Sequence, residues 1–148
     1  GDTGNDRLVP DALRAIENKK ILKIRNPESI RPWQHILDSL YGYILALQYS
    51  YKKEENTVFN LNSEVNNKFT AMKLIREIEN VWSVELNLDI ASTYKEVEQL
   101  LIDSSKAKKE LNWEATLSIP ESINLIYKWE TTHNKFEETN KQINNYFF

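Results

Sequence analysis

Apolar residues at Leu8, Val9, Leu13 and Ile16 share one face at helical spacing and predict a first helix, with Pro10 tolerable in its opening turn. Ile21 to Ile24 reads as a short strand. Leu40, Ile44, Leu47 and Tyr51 recur as the core-facing stripe of a long second helix, with Asp38 placed to cap its start. Val58-Phe59 fits a brief strand. Leu74, Ile75, Ile78 and Trp82 predict a third helix beginning near Thr70, and Val84 to Leu88 alternates as a half-buried strand does. Leu100 to Ile102 is a further short strand, ending at Asp103, which caps a fourth helix through Leu111. Ser118-Ile119-Pro120-Glu121 has the form of a capping box opening a fifth helix along Ile123, Ile126 and Tyr127. From Asn134 to Asn145 the chain is polar and weakly patterned, so fraying is expected there, with Tyr146-Phe147-Phe148 able to dock back.

These elements make an α/β chain with short strands and a helical majority, without repeats or a dividing linker. At 148 residues it is one domain's worth and can bury a core. The formal net charge of −3, with both signs interspersed, provides no basic field for nucleic acid, so any anion site must be local. There are no cysteines, which excludes a disulfide scaffold or thiolate metal site and suits a reducing, cytoplasmic compartment. No apolar run approaches the roughly 20 residues of a membrane span. The Gly1-Asp2-Thr3-Gly4 start without an initiator Met reads as a piece of a longer chain.

Chemistry concentrates between Ile24 and His35, where Arg25, Pro27, Arg31, Pro32, Trp33 and His35 crowd one connection. Each proline disfavours the α region for the residue before it, so Asn26 and Arg31 are held extended. A stiff loop with fixed guanidinium groups can receive a carboxylate or phosphate, and Arg7 at a helix start could join it. The alternative at this point is that Arg25 and Arg31 form surface ion pairs with carboxylates such as Glu28 or Asp38, worth little.

Other candidates are weaker. Tyr49 to Lys53 has the Tyr-x-x-x-Lys spacing that short-chain dehydrogenases use, but it ends an amphipathic helix with no cofactor fold before it. Tyr51 is expected in the core, with Lys52 and Lys53 favouring the helix C-terminus. Gly1-x-x-Gly4 is too short for a phosphate loop. His133 is expected at the surface near a helix end, and His35 as a buttress of the arginine loop. No metal-ligand cluster or nucleophilic triad is suggested. Trp82, Trp113 and Trp129 are expected in the core, while Trp33 has room to stack on a ligand.

Asp6-Arg7-Leu8-Val9-Pro10-Asp11, then Ile24-Arg25-Asn26-Pro27 and Ile30-Arg31-Pro32-Trp33-Gln34-His35, resemble the C-terminal portion of nucleotide-sugar 4,6-dehydratases that act on CDP-hexoses. These enzymes belong to the extended short-chain dehydrogenase/reductase (NAD-dependent epimerase/dehydratase) family. Leu101 to Ala107 and Leu111-Asn112-Trp113 resemble that family's Leu-Asp-x-Ser-Lys-Ala and Leu-Gly-Trp segments, and the resemblance runs to about Trp129. It implies a C-terminal substrate-binding lobe over residues 1–133, a polar tail over 134–148, and a Rossmann half carried elsewhere. It also implies a lyase of cytoplasmic sugar-nucleotide metabolism that forms a CDP-4-keto-6-deoxyhexose for dideoxysugar and O-antigen synthesis. Nucleotide-sugar contacts would fall on Arg7, Leu8, Arg31, Trp33 and His35.

By the same resemblance, NAD would be held by the absent N-terminal half, with no catalytic, cofactor or metal residue in this chain. The partners would be the nucleotide sugar and the Rossmann domain, on the same or a separate chain, within a homo-oligomeric parent. The alternative is a non-catalytic binding module, or a remnant that exposes the apolar surface meant for the missing domain. The chain departs from the family pattern where Asn62 and Asn112 stand in for glycine; asparagine is the next-best residue for a left-handed turn. Lys95-Glu96-Val97 replaces the family's His-Glu-Ala.

Overall fold

The computed structural model describes residues 4–54, 56–63, 68–90 and 98–148, in which Lys95-Glu96-Val97 is not included. Two compact units emerge: residues 1–31 with 68–100, and residues 32–67 with 101–148.

In the first unit, α1 (Leu8–Asn18) buries Ala12 and Ala15 and packs on α3 (Ala71–Trp82), whose inward face is Leu74, Ile75 and Ile78. β1 (Leu22–Ile24) pairs in parallel with β2 (Leu88–Ile90), placing Leu22 opposite Leu88 and Ile24 opposite Ile90. The second strand thus starts where the alternation of Val84 to Leu88 ends. Both helices close on non-glycine residues in the left-handed region, Lys19 (φ 51°) and Ser83 (φ 52°). Their backbone N–H groups turn back onto the final helical carbonyls, which offsets the strain of that conformation. Glu79, buried on α3, accepts from the Leu86 N–H (2.8 Å) and from Arg76 (2.6 Å), fixing the turn into β2.

The second unit is built on α2 (Ile36–Lys53), α4 (Ser105–Leu111), α5 (Ile119–Thr131) and α6 (Lys135–Phe147). Its centre is Ala107, Leu111 and Trp113, against which Tyr41, Leu45, Ala46, Tyr49, Phe59 and Leu61 pack. Mid-helix glycine costs about 0.5–1 kcal/mol relative to alanine. Here it admits close neighbours: a Cβ on Gly42 would lie 2.5 Å from a Leu61 methyl and 3.0 Å from the Trp113 indole nitrogen.

Several expectations are corrected. Asp38 does not cap α2. The cap is His35, whose Nδ1 accepts the Leu37 N–H (3.3 Å), while Asp38 lies one turn inside and is fully buried. Leu40, Ile44, Leu47 and Tyr51 are exposed, because the inward face is set by Leu37, Asp38, Tyr41, Gly42, Leu45 and Tyr49, between those positions. Val58-Phe59 and Leu100 to Ile102 form no strand; near the latter there is only a bridge between Ile30 and Gln99. Asn112 does adopt the left-handed conformation (φ 52°), but Asn62 does not. Asn62 is buried instead, donating to the Ile102 carbonyl (2.9 Å) and accepting the Ser104 hydroxyl at its own carbonyl (3.3 Å).

At the other end, residues 135–147 are helical rather than frayed. The Asn134 side chain caps the Glu137 N–H, and Tyr146 and Phe147 pack edge-on against Tyr41, while Phe148 is exposed. The Ser118–Glu121 capping box forms as its sequence predicts. Asp103 accepts from the Ser105 N–H at the start of α4, although the cap position itself is Ser104.

Candidate functional site

The arginine loop is held by more than its prolines. The Ser29 N–H and hydroxyl both donate to the Asn26 carbonyl (3.2 and 2.8 Å), closing a turn around Pro27. The carbonyls of Pro27 and Ser29 then accept the N–H groups of Met72 (2.8 Å) and Ala71 (2.9 Å), first-turn donors that a helix cannot satisfy internally. Thr70 caps Lys73 at the same end of α3 (3.2 Å). Ile30 bridges to Thr70 and Gln99, and its carbonyl accepts from Leu100 N–H (3.1 Å) and from the Arg31 guanidinium (3.0 Å). Arg31 thus follows a residue bridged on both sides, with its side chain half-buried.

Arg7 occupies the N-cap position of α1 in an extended conformation (φ −122°, ψ 125°), followed by the half-buried Leu8. The preceding residue, Asp6, has φ 58° and lies 3.7 Å from the Arg25 guanidinium. That exposed pair brings the arginine loop beside the entrance of α1 within the first unit and contributes little to holding it. For Arg25 the surface-ion-pair alternative is therefore met, with Asp6 as the carboxylate. Trp33, half-buried, and His35, buried, belong to the second unit.

His35 accepts at Nδ1, so its neutral ring carries the proton on Nε2. Burial pushes its pKa below the usual 6.5, and the nearby Asp38 carboxylate pulls part of the way back. Below about pH 6.5 the unfolded chain takes up a proton that the folded chain resists, so the stabilisation is complete above 6.5 and lost as pH falls. Melting temperature is expected to drop between pH 7.5 and 5.5, and His35→Asn, which keeps a cap, should flatten that slope. Asp103 and Glu121 are held below their usual values by hydrogen bonds from Ser105 and Ser118, so their own contributions are lost only in more acidic solution.

Sequence reasoning missed Asp38 as the polar centre of the second unit. Its carboxylate accepts from the N–H (2.9 Å) and hydroxyl (3.2 Å) of Thr116, the N–H of Leu117 (3.3 Å) and the Tyr146 hydroxyl (2.6 Å). Burial, followed by the bond to Asp38, pushes the Tyr146 pKa up to about 12, so the phenol remains a donor at neutral pH. No spacing connects residues 38, 116 and 146 in sequence. The Tyr-x-x-x-Lys spacing proves structural: Tyr49 packs edge-on against Phe59 at 5.3 Å, and it is Tyr49, not Tyr51, that faces the core. Trp113 is buried, whereas Trp82 and Trp129 are half-buried and His133 is exposed.

The described residues do not fit a dinucleotide. β1 enters a loop without glycine, and the chain's three glycines are Gly1, Gly4 and Gly42. Among the described residues, no group of three or more His, Asp or Glu side chains could hold a metal ion, and no helix is long and apolar enough to cross a membrane. What the first unit offers is an arginine on a rigid backbone beside a capped helix, a geometry suited to an anion.

That arrangement occurs on the fold of extended short-chain dehydrogenase/reductase epimerases and dehydratases. The Stenotrophomonas maltophila UDP-glucose-4-epimerase structure aligns with TM-score 0.74 at 19% identity, covering 88% of this chain and 40% of that one. The Bacillus anthracis dTDP-glucose 4,6-dehydratase structure aligns with TM-score 0.70 at 17% identity, covering 88% and 41%. A family model described as GDP-mannose 4,6 dehydratase matches residues 1–126, and this chain belongs to that family. It is 35% identical over 133 residues to the CDP-glucose 4,6-dehydratase of Salmonella typhimurium, covering 87% of this chain and 37% of the relative. Identity to the UDP-glucose 4-epimerase of Dictyostelium discoideum is 27% over 130 residues, covering 86% and 33%. The chain therefore spans about a third of the length of these curated relatives.

Proposed function

We propose that this chain is the nucleotide-sugar-binding part of a NAD-dependent 4,6-dehydratase, and that its substrate is a CDP-glucose-type nucleotide sugar. The observation that carries the reading is Arg31 directly after the bridged backbone of Ile30, in a chain 35% identical to a CDP-glucose 4,6-dehydratase. Arg31 and Arg7 hold the diphosphate, with Leu8 contributing at the start of α1. Trp33 stacks on the nucleotide, and His35 sets the direction of the chain leaving the loop by capping α2. NAD, bound outside the described residues, supplies the hydride acceptor. This chain's residues bind and orient the substrate, and the cytoplasmic, homo-oligomeric parent enzyme performs the elimination.

Hydrogen bonds to charged groups contribute about 1.5–3 kcal/mol each. Arg31→Ala should therefore weaken CDP binding by roughly 10- to 150-fold at 1.4 kcal/mol per tenfold. Calorimetric titration with CDP at two salt concentrations tests this, with Lys109→Ala expected to match wild type. Binding indifferent to Arg31→Ala removes the assignment. CDP binding without keto-sugar formation from CDP-glucose and NAD by this chain alone supports a binding part rather than a whole enzyme.

A further inference from the structure

Helix α6 lies beyond residue 126, where the family match ends, yet it reaches back to the segment that leaves the arginine loop. It is held at two places. Gln142 donates to the Leu125 carbonyl (2.9 Å) and the Trp129 indole N–H donates to the Thr139 hydroxyl (2.9 Å), which fixes α6 on α5. Tyr146 donates to the Asp38 carboxylate (2.6 Å), while the Tyr146 and Phe147 rings stand 6.3 and 5.6 Å from that of Tyr41. Asp38 and Tyr41 lie in the opening turns of α2. The first of those turns also fixes the residues next to Trp33. His35 caps α2, and Gln34 donates its side-chain amide to the Ser39 hydroxyl (2.9 Å). The Ser39 N–H in turn donates to the His35 carbonyl (3.4 Å). Trp33 therefore precedes two residues whose side chains are bonded to a turn that Tyr146 anchors. All of these residues belong to the second unit.

We propose that Tyr146 is a positioning residue for nucleotide binding: its hydroxyl holds the first turn of α2 and, through Gln34 and His35, the orientation of Trp33. The ligand rests on the nucleotide-sugar reading; the mechanical link from Tyr146 to Trp33 does not. A phenol donating to a carboxylate makes a charge-assisted bond, stronger than a neutral one. The ring contacts with Tyr41 do not involve the hydroxyl, so Tyr146→Phe removes that bond alone. Asp38 keeps its bonds from Thr116 and Leu117 in this variant, so the fold persists while the first turn of α2 loses one anchor.

Two readouts test this on the chain. With fluorotryptophan incorporated, the four tryptophans are followed by fluorine NMR, and Trp33→Phe assigns the Trp33 signal. Tyr146→Phe is expected to shift or broaden that signal and to leave that of Trp82, in the first unit, in place. An unmoved Trp33 signal overturns the proposal, whether or not CDP binds. In calorimetric titration, at a temperature where every variant is folded, Tyr146→Phe should weaken CDP binding roughly three- to tenfold, the range set by the net worth of one hydrogen bond. Ile78→Val, a buried change in the first unit of comparable cost to stability, should bind CDP as wild type does. Unchanged affinity in Tyr146→Phe overturns the proposal. So do equal losses in Tyr146→Phe and Ile78→Val, or a further loss when Tyr146→Phe is added to Trp33→Ala. If the wild type binds no CDP, the nucleotide-sugar reading fails and takes the ligand of this proposal with it, while the fluorine signals still decide the link between Tyr146 and Trp33.

Discussion

Asp38→Ala is expected to destabilise the chain by about 3 kcal/mol, with the melting temperature falling by roughly 10 °C for a domain of this size. The carboxylate joins three segments distant in sequence: the start of α2, the approach to α5 through Thr116 and Leu117, and the end of α6 through Tyr146. Removing it leaves backbone donors and a phenol without their acceptor, and each unsatisfied buried donor costs about 1–3 kcal/mol. The partial exposure of Thr116, Leu117 and Tyr146 lets water recover some of that loss, which keeps the expected total near the lower end of the sum. Tyr146→Phe should cost less, about 1 kcal/mol, and the double variant should fall short of the sum because both changes remove one shared bond. Chemical denaturation of the four proteins measures this; an additive result would show that Asp38 does not hold α6.

Trp113→Ala should cost about 3–5 kcal/mol, the range for removing a large buried aromatic side chain. The indole is 1% exposed, packs with Ala107 and Leu111, and donates its N–H to the Asp38 carbonyl at 3.0 Å. Its substitution opens a cavity bordered by Leu61 and the bare Cα of Gly42. Trp113→Phe should retain most of the packing but lose that hydrogen bond, costing about 1–2 kcal/mol. Equilibrium urea unfolding followed by circular dichroism separates the two; equal stability of Trp113→Ala and wild type would remove this residue from the core of the second unit.

Local rules succeeded where local chemistry decides the outcome. The Ser118–Glu121 capping box formed as its sequence predicts, and α3 begins at Thr70 as expected, because a side-chain oxygen within a few residues satisfies the donors that a helix start leaves open. Asn112 took the left-handed turn for the same kind of reason. The readings that failed depended on which partner a residue meets. The periodicity of α2 is compatible with two apolar faces, and the stripe chosen from spacing proved to be the exposed one. Asn62, aligned with a family glycine, was recruited by the distant Ile102 carbonyl and Ser104 hydroxyl.

The candidate site shows the same division. Spacing and composition singled out Ile24 to His35, and its resemblance to a family pointed to a nucleotide sugar. Tertiary structure then supplied the reason the loop is stiff: its carbonyls complete the first turn of α3, and Ile30 bridges to Thr70 and Gln99. The sequence by itself determined the family, the capping box that opens α5 and the identity of the arginine loop, because these rest on contiguous residues. Only the tertiary structure decided that Asp38 is a buried hub, that α6 is a docked helix and that an apolar face of α2 remains open. Each of these depends on pairing between segments dozens of residues apart, for which a linear pattern carries no signal.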